Sequence, residues 1–218
     1  MNSARVAASS PLGARAAAGA RQGDRVPPLY AHDPFLLIQS TLGSPWLDFP
    51  MSLLSTACEG WSLALIAVAL VWSLERRREP TIRFSLPVLA ALLAAGLVAQ
   101  LLKRLVHLPR PLSVLGPSGV HVVLEPLGQL AFPSGHAAAA AAMATALTVR
   151  YGGRVGWVWA LAFLGGLSRV YVGSHWGMDV AAGWLVGTAC GLTAALALRG
   201  RCPRLAAARA RASTPEAA

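Results

Sequence analysis

The chain has 218 residues, of which 55% are hydrophobic and only 13% charged, with a net charge of +10 from 18 Arg and one Lys against nine acids. A soluble domain of this length carries roughly 25% charged residues, so a mean hydropathy of +0.53 points to a bilayer as solvent and excludes an ordinary water-soluble globule. The basic excess does not indicate a nucleic-acid partner, because the cations fall between long uncharged apolar runs and do not form a basic face interleaved with aromatics.

Residues 1–32 are rich in Ala, Arg, Gly and Pro and are expected to form a disordered basic tail; they lack an apolar run long enough for a signal-peptide core. From Asp33 to Pro50, Phe35, Ile38, Leu42, Trp46 and Phe49 recur at spacings of three and four, broken by Gly43 and Pro45. That pattern fits an amphipathic segment lying in the membrane interface, although a plain linker would look similar.

Five spans are expected after it. Residues 51 to 74 hold one charge, Glu59, and residues 84 to 102 hold none, so each approaches the roughly 20 apolar residues a crossing needs. Residues 180 to 198 are likewise uncharged. The uncharged stretches 137 to 149 and 155 to 168 reach spanning length only if one helix begins near Ser134 and the next continues through Arg169. Polar residues at those ends would then face a protein-lined cavity, where an ionisable group is a functional candidate. The fold class expected is thus all-α, a polytopic transmembrane bundle over residues 33–198, followed by a basic tail, 199–218.

Charge bias sets the orientation. Eleven Arg, among them Arg76, Arg83, Arg150, Arg154 and Arg199, fall on one side, which the positive-inside rule makes cytoplasmic. The opposite side carries only Lys103, Arg104, Arg110 and Arg169. An odd number of spans leaves the Arg-bearing N-terminus outside, which the same rule disfavours. Cys58, Cys190 and Cys202 have no metal-ligand spacing and read as fillers.

Three groups collect at the outer helix ends: Lys103 with Arg110 and Pro111; Pro133-Ser134-Gly135-His136; and Ser168-Arg169 with His175 and Asp179. His175 and Asp179, four apart, share a helix face, so the carboxylate can hold one imidazole nitrogen and leave the other free to attack phosphorus. An acid favoured by the helix dipole, with a histidine before it by chance, would look the same. Ser134 and Gly135 open a helix whose free N–H groups suit an anion, with His136 placed to protonate a leaving oxygen; a plain Ser N-cap is the alternative. Lys103, Arg110 and Arg169 can neutralise charge on a phosphoryl group in flight, or simply end membrane helices.

In this order, K-x6-R-P, P-S-G-H and S-R-x5-H-x3-D resemble the signature of the type-2 phosphatidic acid phosphatase and vanadium haloperoxidase superfamily, matching it at every fixed position from 103 to 179. The resemblance implies Lys103, Arg110, Ser134, Gly135 and Arg169 as phosphate ligands, His136 as acid, His175 as nucleophile and Asp179 as its partner. It further implies an enzyme without metal or other cofactor, acting on a lipid phosphate or diphosphate such as undecaprenyl diphosphate or phosphatidate. The surrounding spans are similar to those of the small bacterial membrane members, which implies a bacterial inner membrane; with the charge bias above, the site is expected to face the periplasm or exterior. A phosphotransferase would use the same first half-reaction; the family's peroxidases are soluble and larger, and a non-catalytic protein would not need His136, His175 and Asp179 together. His107, His121 and Glu125 read as solvated loop residues, with His121 or Glu125 able to touch a headgroup. Trp157, Trp159, Trp176 and Trp184 read as interface or packing residues.

Overall fold

A computed structural model describes residues 26–75, 85–124 and 128–198. Among the described residues eight α-helices follow one another: α1 (Phe35–Leu42), α2 (Pro45–Ala57), α3 (Gly60–Leu74), α4 (Leu86–Val106), α5 (Pro111–Leu115), α6 (Gly135–Tyr151), α7 (Trp157–Tyr171) and α8 (Gly177–Ala197). Among the described residues there are no strands, only one isolated bridge between Pro109 and Leu130.

Helices α4, α6 and α8 pack against one another as the centre of the bundle; α3 and α7 flank α6, and α1 and α2 lie against α7. In α6 every residue from Ala137 to Leu147 is buried, so the helix is apolar all round and sits in the middle. Its alanines let α8 approach closely through Gly183, Gly187 and Gly191. A Cβ on Gly187 would stand 2.0 Å from the carbonyl oxygen of Ala138, a distance no side chain can occupy. This four-residue spacing of small residues is a membrane packing device.

Among the described residues two helices, α4 and α8, are by length and composition able to cross a membrane, and α2 with α3 would make a third if the bent pair is one span. As the charge pattern implies, α6 opens immediately after Ser134 and α7 runs on through Arg169 to Tyr171. They have 17 and 15 residues, respectively. Each is thus shorter than the roughly 20 residues of a perpendicular crossing.

The expected span from 51 to 74 is corrected. Residues 51–57 continue α2, which starts at Pro45, and α3 leaves at 75° to it after a break at Cys58 and Glu59. Glu59 is extended there, with ψ of 146°, and Gly60 after it is a poor helix former. The break removes the one charged residue of the run from a continuous helix. Gly43 and Pro45 do interrupt the preceding segment, Gly43 ending α1 and Pro45 opening α2. Trp46, Phe49 and Leu53 project from α2 with large exposure, as an interfacial helix requires.

The tail boundary also moves. Residues 26–32 are part of the fold: Tyr30, in a 3-10 turn over Pro28–Tyr30, is buried and joins Phe35, Leu115, Val120 and Trp176 in a second apolar cluster. The rest of the expected basic tail, residues 1–25, the Arg76–Arg83 cluster and the tail 199–218 lie outside the described residues. At the expected cytoplasmic end, Arg150 pairs with buried Glu75 over 3.2 Å. Cys58 is buried in the main core, as a filler should be.

Candidate active site

The three motif groups converge at the opposite end of the bundle. A cavity of about 670 Å³ is lined by Lys103, Arg110, Gly135, His136, Arg169 and His175. Ser134 and Asp179 stand directly behind this lining, both with no exposed surface.

Each cation is held by a different element. Lys103, in the last turn of α4, donates from Nζ to the carbonyl oxygens of Leu130 and Ala131 at 3.2 and 3.0 Å. Arg110 is the N-cap of α5, and its Nη1 donates to the carbonyl of Ser174 over 2.8 Å. Arg169 donates from Nη1 to the hydroxyl of Ser55 on α2, while its Nε is buried with no hydrogen-bond partner among the described residues. The hydroxyl of Ser134 is in the same condition. Buried polar atoms are normally satisfied, so the free Arg169 Nε and Ser134 Oγ beside a cationic cavity fit a site built for an anion. Glu59, half-buried at the α2–α3 break, is the only carboxylate lining the cavity among the described residues, and its Oε2 accepts from Trp61 Nε1 over 2.6 Å.

Ser134 caps α6 with an extended backbone, so Gly135 and His136 occupy the first turn, where N–H groups lack helical acceptors. His175 lies in the turn between α7 and α8, 2% exposed, with Nδ1 3.3 Å from Asp179 Oδ2. With a proton on Nδ1 directed at Asp179, Nε2 carries the free lone pair. Burial, then the charges of Arg110, Lys103, Arg169 and His136, hold His175 well below the ordinary imidazole range, which keeps it neutral. Burial likewise lowers Arg110, against the opposing attraction of Asp179.

The same Asp179 Oδ2 accepts from the Trp176 N–H over 2.9 Å, the reach-back half of a capping box on α8. Asp179 therefore both caps α8 and touches His175. Its other oxygen accepts from the hydroxyl of Tyr30 over 2.7 Å. Asp33 completes the cap from outside, accepting from the N–H groups of Gly177 and Met178 at 2.9 and 2.8 Å.

Residues outside the motifs sort differently. His121 is a strut away from the cavity: its Nε2 meets Asp48 over 2.8 Å and its N–H donates to Gln39 Oε1 over 2.6 Å. Gln39 in turn donates to the carbonyls of Val170 and Tyr171, tying α1 to the end of α7. His121 is exposed, as expected of a solvated loop residue, and its bonds to half-exposed Asp48 and to Gln39 hold it outside the cavity lining. His107 ends α4 with a φ of 52°. Glu125 lies outside the described residues. Trp176 is buried against Tyr30 with ring centroids 4.7 Å apart, and Trp184 donates to the carbonyl of Ala162, so both are packing residues.

Tyr30, Asp33 and Glu59 were missed. Nothing in the run Pro27-Pro28-Leu29-Tyr30 marks a site residue, whereas Glu59 carried a usable signal as the lone charge in an apolar run.

An all-helical integral membrane protein with cations from three elements and two histidines around one cavity is thus defined by fold and site. The chain belongs to the PAP2 superfamily, whose family model matches residues 84–201. That segment contains every motif residue from Lys103 to Asp179 and excludes Tyr30, Asp33 and Glu59.

Over 84 residues the chain is 39% identical to an undecaprenyl-diphosphatase of Sulfolobus acidocaldarius, covering 36% of this chain and 38% of that protein. The match therefore spans well under half the length of that relative. Among solved structures, LpxE of Aquifex aeolicus superposes with a TM-score of 0.62 at 25% identity, over 73% of this chain and 91% of that one. The first transmembrane PAP2-type phosphatidylglycerolphosphate phosphatase of Bacillus subtilis shares the fold, with a TM-score of 0.61 at 19% identity over 87% of each chain.

Proposed function

We propose that this protein is an integral-membrane phosphatase that hydrolyses a lipid phosphate or diphosphate through a phosphohistidine intermediate. The observation that carries the reading is the single cavity in which His175, backed by Asp179, faces His136 and the cations Lys103, Arg110 and Arg169.

In the first step Nε2 of His175 attacks phosphorus and the bond from phosphorus to the leaving oxygen breaks, with His136 delivering a proton to that oxygen. Asp179 stabilises the positive charge that develops on the imidazole. Lys103, Arg110, Arg169, the hydroxyl of Ser134 and the N–H groups at the start of α6 take up the charge on the remaining phosphoryl oxygens. In the second step water attacks the phosphohistidine, His136 accepts its proton, the N–P bond breaks and inorganic phosphate leaves. A phosphoryl site at a helix end lets the hydrocarbon part of the substrate stay in the bilayer.

Undecaprenyl diphosphate is the favoured substrate. The undecaprenyl-diphosphatase relative supports it, as does a site at the end of the bundle opposite Arg150 and Arg154, which the positive-inside rule makes periplasmic in a bacterial inner membrane. Phosphatidate and other lipid phosphates present the same group.

The test is phosphate release in detergent, without any acceptor lipid, from undecaprenyl diphosphate, phosphatidate and phosphatidylglycerol phosphate. Release that His175→Ala abolishes is expected. Transfer only when an acceptor alcohol is added would make the protein a phosphotransferase, and no turnover on the panel would overturn the reading.

A further inference from the structure

The segment before α1 reaches into the site from outside the family-matched residues. Tyr30 is 2% exposed, stacks on Trp176 at an interplanar angle of 15°, and donates from its hydroxyl to Asp179 Oδ1 over 2.7 Å. Three residues on, Asp33 holds the first N–H groups of α8. The chain between them is short, so the two contacts clamp the His175–Asp179 turn from one side.

We propose that Tyr30 is a positioning residue of this site, fixing the Asp179 carboxylate so that Oδ2 is presented to Nδ1 of His175. The proposal rests on the phosphatase reading for its catalytic meaning. A carboxylate can rotate about its terminal torsion, and the Trp176 N–H and His175 both engage Oδ2. The donor on Oδ1 is what stops that rotation. Burial and the adjoining Asp179 charge push the Tyr30 phenol far above its usual range, so it remains protonated and donates to the carboxylate. With Asp179 fixed, one tautomer of His175 is selected, the one that leaves Nε2 free for phosphorus. The aromatic stack sets the phenol's position, and Phe35 packs on the other side of Trp176 with centroids 5.1 Å apart.

Tyr30→Phe separates positioning from packing, since it keeps the ring on Trp176 and deletes the hydroxyl. In histidine-15N-labelled full-length protein in detergent, His175 is assigned by the signal lost in His175→Ala. The wild type should show one protonated and one lone-pair nitrogen as widely separated shifts, and Tyr30→Phe should draw them together as the tautomers mix. With phosphatidate as probe, kcat should fall about tenfold to a hundredfold, the weight of a hydrogen bond to a charged group, while KM stays within about twofold. Tyr30→Leu, which also loses the stack, should lower thermal stability as well. Imidazole shifts in Tyr30→Phe identical to wild type overturn the proposal whatever the activity. A wild type without turnover but with shifts that respond to Tyr30→Phe would sink the phosphatase reading and leave Tyr30 as the residue that orients His175.

Discussion

The backbone N–H of Ser134 donates to the carbonyl oxygen of Asp179 over 2.9 Å. The residue that opens α6 and the residue that backs His175 are thus tied directly, and the two histidines are positioned by one helix pair. The α6–α8 contact depends on glycines: a Cβ on Gly183 would lie 2.5 Å from the Ser134 carbonyl oxygen.

Gly187→Leu should therefore destabilise the bundle by about 1–3 kcal/mol or more, because the clashing atom is a backbone carbonyl that has no rotamer to yield. Gly96→Ala is the contrast. Its Cβ would meet nothing within 4 Å, so the substitution should stabilise α4 by about 0.5–1 kcal/mol through helix propensity alone. Thermal unfolding in one detergent, monitored by circular dichroism, compares the two; equal midpoints would contradict the packing argument.

The histidines should respond differently to removal. His175→Ala removes the histidine that Asp179 backs, leaving His136 without a carboxylate partner among the described residues, and should abolish turnover on every substrate. His136→Ala loses general-acid help of about 10² to 10⁴ and should recover with an aryl phosphate, whose leaving oxygen needs no proton. Rapid alkaline quenching of labelled substrate should trap an acid-labile phosphoenzyme in wild type but not in His175→Ala.

Activity should survive EDTA. Three cations, Lys103, Arg110 and Arg169, line the cavity, and on the proposed reading they meet the charge of the phosphoryl oxygens unaided. Phosphate release assayed before and after chelation decides it: turnover lost with EDTA and restored by Mg²⁺ would assign the charge neutralisation to a metal.

Sidedness follows from the separation of the cavity from the Arg150–Glu75 end. In a background with the native cysteines replaced, Ser118→Cys should react with an impermeant maleimide added to intact cells, and Arg154→Cys should react only after lysis. Both positions are exposed. The reverse pattern would move the site to the cytoplasmic face and remove undecaprenyl diphosphate from the outer leaflet as favoured substrate.

The sequence by itself determined the bilayer as solvent, the helices α4, α6, α7 and α8, and the candidate set Lys103, Arg110, Ser134, Gly135, His136, Arg169, His175 and Asp179, which the fold gathers at one end of the bundle. These are legible because hydropathy acts over one helix length and because each motif places its chemistry within a few residues of a helix end. What only the tertiary structure decided involves partners far apart along the chain. Tyr30 reaches Asp179 across 149 positions, Ser55 reaches Arg169 across 114, and Gly187 lies against Ala138. Periodicity carries no term for such pairs. The break at Glu59 belongs with them: an apolar run with one acid satisfies the composition of a straight span. A cavity beside it, and α2 packed across α7, make two helices at 75° the arrangement that leaves the carboxylate at the cavity instead of in lipid.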